Sequence, residues 1–189
     1  MSKPPESRVY QIKVTLDGVK PPVWRRLLVP GSISLEKLHD VLQIAMDWTN
    51  SHLHQFAAGR QYYGTPDPDF GDNRKNEAGV RLDQLLTREK DAMVYEYDFG
   101  DGWMHRIVLE KIVERGQSDV VPSCISGARA CPPEDCGGVW GYEEFLNAIR
   151  DPSHPEHNEM LEWAGEAFDP ERFDVAEINK RLAPRRRRA

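Results

Sequence analysis

The chain has 189 residues, of which 39% are hydrophobic and 30% charged, with a formal net charge of −6. Five Trp, six Tyr and six Phe supply large surfaces for a core that needs no disulfides. No apolar run approaches the ~20 residues of a membrane helix. These features exclude a membrane protein, a disulfide-rich secreted scaffold, a coiled coil and a repeat array, and they argue against a uniformly basic nucleic-acid binder.

The opening residues, MSKPPESRVY, lack the apolar centre of a secretory leader. Three cysteines, an odd number, fit a reducing compartment, so a cytoplasmic location is expected. Charge is unevenly spread. Residues 1–30 carry six basic and two acidic groups, whereas residues 134–179 carry thirteen acidic groups against Arg150 and Arg172. Arg185, Arg186, Arg187 and Arg188 then precede the last residue, Ala189. The expected organisation is one domain over 1–184 and a basic, disordered tail over 185–189.

In chain order, residues 8–16 alternate, with Tyr10, Ile12, Val14 and Leu16 on one face, which predicts a half-buried strand. Asp17-Gly18 marks a turn, and Val23–Val29 reads as a second strand ended by Pro30-Gly31. Ser34 caps a helix predicted over Leu35–Asp47, with Leu35, Leu38, Val41, Leu42, Ala45 and Met46 as its apolar stripe. Ser51–Ala58 reads as a third strand, which places His52, His54 and Phe56 on one face.

Residues 59–79, rich in Gly, Pro, Asp and Asn, read as the longest loop, followed by a short helix near Leu82–Leu86. Ala92–Tyr97 and Trp103–Val113 read as a hairpin around Asp98-Phe99-Gly100-Asp101-Gly102. Val120-Val121 is expected to end a further short strand, and Pro122–Gly141 reads as coil. Helices are expected at Tyr142–Ile149, Pro155–Trp163 and Val175–Leu182, the last with Asp174 and Glu177 as a capping box. Strands first and helices last give an α+β class with a mainly antiparallel sheet, a helix after the second strand and a helical C-terminal third.

The stretches VWRRLLVP, WTNSHLHQF, YDFGDGWMHRIVLE, ACPPEDCGGVWGY and FDPERFDVAEINKRL, in this order, resemble the plasmid pRiA open-reading-frame-three-like family. Members are also described as insertion-element passenger proteins of TnpR type. The resemblance runs from Tyr10 to Leu182. It implies an α+β roll without an established biochemical activity, in a plasmid or mobile-element context. Resolvase chemistry is not supported by the residues. A serine recombinase needs a nucleophilic Ser beside clustered Arg and a DNA-binding helix pair. Here Ser7-Arg8 stands at the N-terminus with no such pair.

Four constellations carry candidate chemistry. In a strand, His52 and His54 project from one face about 7 Å apart, and with His105 they form a candidate zinc or other divalent-metal set, which Asp98 or Asp101 would complete. Cys124, Cys131 and Cys136 are soft donors for a zinc site whose fourth ligand would be His154, His157 or His105. The PPEDCGG segment offers Glu134 and Asp135 as ligands or bases. Trp24, Trp48, Tyr62, Tyr63, Phe99, Trp103 and Trp140, interleaved with Arg25, Arg26 and Arg60, offer base-stacking surfaces.

No complete catalytic set emerges. The leading reading is a non-enzymatic cytoplasmic module binding a protein or small ligand, through His52, His54, Trp103, His105 and the Pro132–Gly138 loop. The alternatives are a metal-dependent hydrolase of phosphate esters or nucleic acid, and a DNA-associated accessory protein using Arg25, Arg26 and Arg185–Arg188. The net charge disfavours nucleic acid, and no membrane partner is expected.

Overall fold

The computed structural model describes residues 8–66, 73–114, 116, 120–165 and 168–183. Strands β1 (Arg8–Leu16), β2 (Trp24–Pro30), β3 (His54–Ala58), β4 (Gln61–Gly64), β5 (Lys75–Asn76), β6 (Ala92–Tyr97), β7 (Trp103–Glu114) and β8 (Ser123–Ala128) form one sheet in the order β5-β4-β3-β6-β7-β1-β2-β8. Neighbouring strands are antiparallel except β4 and β5, which are parallel. The α+β class therefore holds.

The period-two pattern of the sequence becomes one buried sheet face. Register aligns Phe56 with Tyr95, Tyr95 with His105, and His105 with Leu16, so a single row of side chains crosses four strands. Tyr10, Ile12, Val14, Leu27, Val29, Ile107 and Leu109 extend that face, each at most 1% exposed. A fully buried side chain of this size contributes about 1.5–3 kcal/mol.

Helix α1 (Leu35–Met46) lies in this core with its predicted stripe buried. Ser34 caps it by accepting from the Lys37 amide, and Asp47, with φ of 64°, ends it in the left-handed region. The short α2 (Leu82–Leu85) follows β5 and a 3-10 turn at Glu77–Gly79.

Three expectations are corrected here. The 59–79 stretch holds β4, β5 and the 3-10 turn, although part of it lies outside the described residues. Within the segment read as coil, Ser123–Ala128 pairs with β2 as the edge strand β8, and no strand ends at Val121. Helix α3 (Gly138–Arg150) begins four residues before Tyr142. A helix α4 (His157–Ala164) and the helix α5 (Val175–Leu182) are the last elements of the described residues.

Helix α5 secures the β8 edge through one side chain. Asn179 Oδ1 accepts from the Cys124 amide at 2.7 Å, and Asn179 Nδ2 donates to the Cys124 carbonyl at 2.8 Å. The amide thus serves the strand's open backbone as another strand would. Among the described residues no helix is long and apolar enough to cross a membrane. Arg185–Arg188 lie outside the described residues.

Candidate functional site

The three histidines expected to share an ion do not meet. His54 opens β3 and faces α1, where its ring stacks on His39 with centroids 3.5 Å apart and planes 4° from parallel. Its Nε2 lies 3.0 Å from both carboxylate oxygens of Glu77, a side chain only 6% exposed.

His39 itself sits in a closed ring of hydrogen bonds. Its Nε2–H donates to Asn50 Oδ1 (2.8 Å), the Asn50 backbone N–H donates to Gln43 Oε1 (2.9 Å), Gln43 Nε2 donates to the Tyr95 hydroxyl (3.0 Å), and that hydroxyl donates to His39 Nδ1 (2.8 Å). This direction requires a neutral His39 imidazole. Burial, followed by the neighbouring His54, holds its pKa below the usual histidine value.

His105 is fully buried on β7, packed edge-on to Trp48 at 5.1 Å. Its Nδ1–H donates to the Tyr95 carbonyl at 3.2 Å, leaving Nε2 without a hydrogen-bond partner. Burial drives its pKa down to about 4. Trp103, also fully buried, belongs to the same core. The binding face expected from His54, Trp103 and His105 is therefore an interior polar and aromatic layer.

His52 alone reaches the sheet end, because it lies before β3 and outside the ladder. Asn50, with φ of 60°, turns the chain there, and the amides of Ser51 and His52 donate to the Tyr97 hydroxyl instead of to a strand. Tyr97 in turn donates to Glu134 Oε1 at 2.5 Å, while the Thr49 hydroxyl and amide both donate to Glu134 Oε2. Burial first, then the Glu134 carboxylate, raises the Tyr97 pKa and keeps its proton in place. Trp48 Nε1 donates to the Pro132 carbonyl at 2.9 Å. Two loops, 47–53 and 132–138, are thus fastened together above the β6–β7 turn.

At that junction His52, Asp98 and Asp135 converge, with one potential ligand atom from each within 4.8 Å of the others. Among the described residues no other set of three His, Cys, Asp or Glu side chains does so. His52 Nε2 is 3.2 Å from Asp135 Oδ1 and 3.7 Å from Asp98 Oδ2, yet it makes no hydrogen bond to either oxygen. Asp98 divides its carboxylate. Its Oδ1 accepts from the amides of Gly100 and Asp101, which leaves Oδ2 facing His52. Asp101 adds support by accepting from the Gly137 amide at 3.2 Å. The side chains of Asp98, His52 and Asp135 are 10%, 26% and 71% exposed, so the cluster is closed below and open above.

The other candidates are dispersed. Cys131 Sγ accepts from Arg25 Nη2 at 3.3 Å, Cys124 lies on β8, and Cys136 precedes α3. The three are free and in no common ligand set. Burial pushes the Cys131 thiol up to about 11 and, with Asp101, the Cys136 thiol up to about 12, so both stay protonated. Arg25 is 3% exposed, and its guanidinium donates to the Ala45, Trp24 and Ala128 carbonyls. Arg26 is committed to Glu110. Thr49, Tyr97, His39 and Glu77 were not singled out from the sequence. His39 alone had a signal there, because it falls on the buried face four residues after Leu35.

Comparison with known proteins agrees with the motif resemblance. The chain is 42% identical over 177 residues to the uncharacterised protein y4hQ of Sinorhizobium fredii, covering 91% of this chain and 89% of that one. The crystal structure of MM3350 from Methanosarcina mazei, a protein of unknown function, is 36% identical and superposes with a TM-score of 0.83 over 90% of this chain and 97% of that one. Residues 8–177 match the plasmid pRiA4b ORF-3-like protein family, and the chain belongs to that family.

Proposed function

We propose that the protein is a divalent-metal-binding module, with His52, Asp98 and Asp135 as its ligands and zinc as its best-matched ion. The observation that carries this reading is the His52 Nε2 atom, which has no hydrogen-bond partner and is flanked by two carboxylate oxygens. An ion bound at about 2.0–2.2 Å by a tetrahedral set holds its donors about 3.3–3.6 Å apart. The observed 3.2 and 3.7 Å separations bracket that spacing. One nitrogen and two oxygens suit zinc or manganese better than a thiolate-seeking ion.

Glu134, Tyr97 and Thr49 do not enter the ligand set. They hold the two loops that carry it, the supporting role that outer groups play at metal centres. The exposed side of Asp135 leaves coordination positions open to a ligand from solution. The same openness is what a hydrolytic metal needs to activate water, so hydrolysis of an activated phosphodiester is a second readout of the same site.

The test is zinc titration against a chromophoric chelator, using protein purified without a metal column. One equivalent should bind to the native chain, and His52→Ala or Asp98→Asn should weaken binding by about tenfold or more. No binding by the native chain, or equal binding by the variants, would overturn the reading.

A further inference from the structure

The helical C-terminal part holds a second, chemically different surface. Helix α4 carries no fully buried side chain and packs through half-buried Met160 and Ala164. Between α3 and α4 lies a groove of about 260 Å³. Phe145, Met160 and Trp163 form its apolar wall, and Glu144, Glu156 and Glu159 stand around it. Trp163 meets Phe145 edge-on at 5.8 Å and remains 46% exposed, so much of the indole stays available to solvent.

Among the described residues no Lys or Arg forms an ion pair with these three glutamates. They belong to the 134–179 segment, in which thirteen acidic groups oppose two arginines. Unpaired carboxylates around an exposed indole are unfavourable to anionic partners, including nucleic acid and acidic lipid.

We infer that this groove is a docking surface for an arginine-bearing segment of a partner protein. A guanidinium fits both halves of the surface. It stacks on an indole face, pairs side-on with carboxylates, and lays its aliphatic stem along apolar walls. A lysine ammonium satisfies the charge but not the stacking or the bidentate geometry. The inference does not depend on a bound metal, although Asp135 borders both surfaces.

The experiment is fluorescence anisotropy with a labelled Gly-Arg repeat peptide and its Gly-Lys counterpart, both in EDTA so that metal binding plays no part. The arginine peptide should bind more tightly than the lysine one. Glu144→Gln with Glu159→Gln should weaken it about tenfold, as loss of an arginine hot spot does. Glu143→Gln with Glu162→Gln removes the same charge outside the groove and should leave binding close to native. Trp163→Ala should reduce the preference for arginine over lysine, and circular dichroism establishes that each variant is folded. Equal weakening by the two double variants would reveal general charge attraction and overturn the inference. Equal affinity for the two peptides, or no binding of either, would also overturn it.

Discussion

The imidazoles of His39 and His54 lie face to face, 3.5 Å apart and 4° from parallel, inside the core. Two charged rings at that distance would repel strongly, so the pair needs an arrangement that keeps one of them neutral. The hydrogen-bond ring through Asn50, Gln43 and Tyr95 keeps His39 in that form, and Glu77 receives the Nε2–H of His54. The pair joins α1 to β3 and to the 3-10 turn. Removing the carboxylate leaves a buried imidazole donor without its acceptor. Glu77→Ala should therefore lower stability by about 2–4 kcal/mol, with Glu77→Gln affected less because the amide oxygen still accepts. Urea unfolding at neutral pH measures both, and an Ala variant as stable as the native protein would contradict this account of the network.

His105 gives the molecule a defined acid sensitivity. Its folded pKa, about 4, lies below the 6.5 of an unperturbed histidine. Above pH 6.5 the ring is neutral in both folded and unfolded chains, and the difference has no effect. As pH falls from 6.5 toward 4, the unfolded chain takes a proton that the folded core refuses, so stability falls. The loss from this group approaches about 3 kcal/mol at pH 4, and the depressed pKa of His39 adds to it in the same direction. Substituting His105→Gln removes one titrating group while keeping a donor for the Tyr95 carbonyl. Its stability should depend less steeply on pH between 6.5 and 4, a slope read from urea midpoints across that window. An unchanged slope would mean that the proton linkage lies elsewhere.

The long strands were legible because Tyr10, Ile12, Val14 and Leu16, and likewise Trp103, His105, Ile107 and Leu109, alternate without interruption. β8 was not, because SCISGA buries only Cys124 and takes its place from Asn179 and from pairing with β2. The site was half legible. His52, Asp98, Asp135, Glu134 and Asp101 all belong to the junction, but alternation along SHLHQF assigned His52 to the same face as His54. That pattern carries no information about the Tyr97 hydroxyl, which captures the Ser51 and His52 amides and lifts His52 out of the ladder. Glu77 was hidden within a stretch whose composition reads as loop, and only the distant pairing with His54 gives it a role.

Asp98 combines a turn-forming and a proposed ligand role, and the two are separable. Its backbone is left-handed, with φ of 57°, and its Oδ1 caps the following turn. Asparagine tolerates that conformation and retains an acceptor, so Asp98→Asn should change stability by less than about 0.5 kcal/mol. Alanine does neither and should cost about 2 kcal/mol. Both should lose zinc affinity alike, which chelator competition measures. Unchanged zinc affinity in the stable Asn variant would exclude Asp98 as a ligand.

The position of Asp135 depends on how closely the 132–138 loop approaches the start of α3. Gly141 lies against the Cys136 carbonyl so closely that a Cβ there would overlap the oxygen, and a Cβ on Gly138 would overlap the Asp101 carbonyl. These obstacles are backbone atoms, which move only if the loop moves. Gly141→Ala should therefore shift the loop off the helix, costing about 2–3 kcal/mol as overpacking does. It should also weaken zinc binding, although residue 141 supplies no ligand. Gly79→Ala is the matched control, because nothing lies within 4 Å of its added Cβ. Thermal melts with and without zinc measure both terms. A Gly141→Ala protein with native stability and native zinc stabilisation would show that this close approach does not position Asp135.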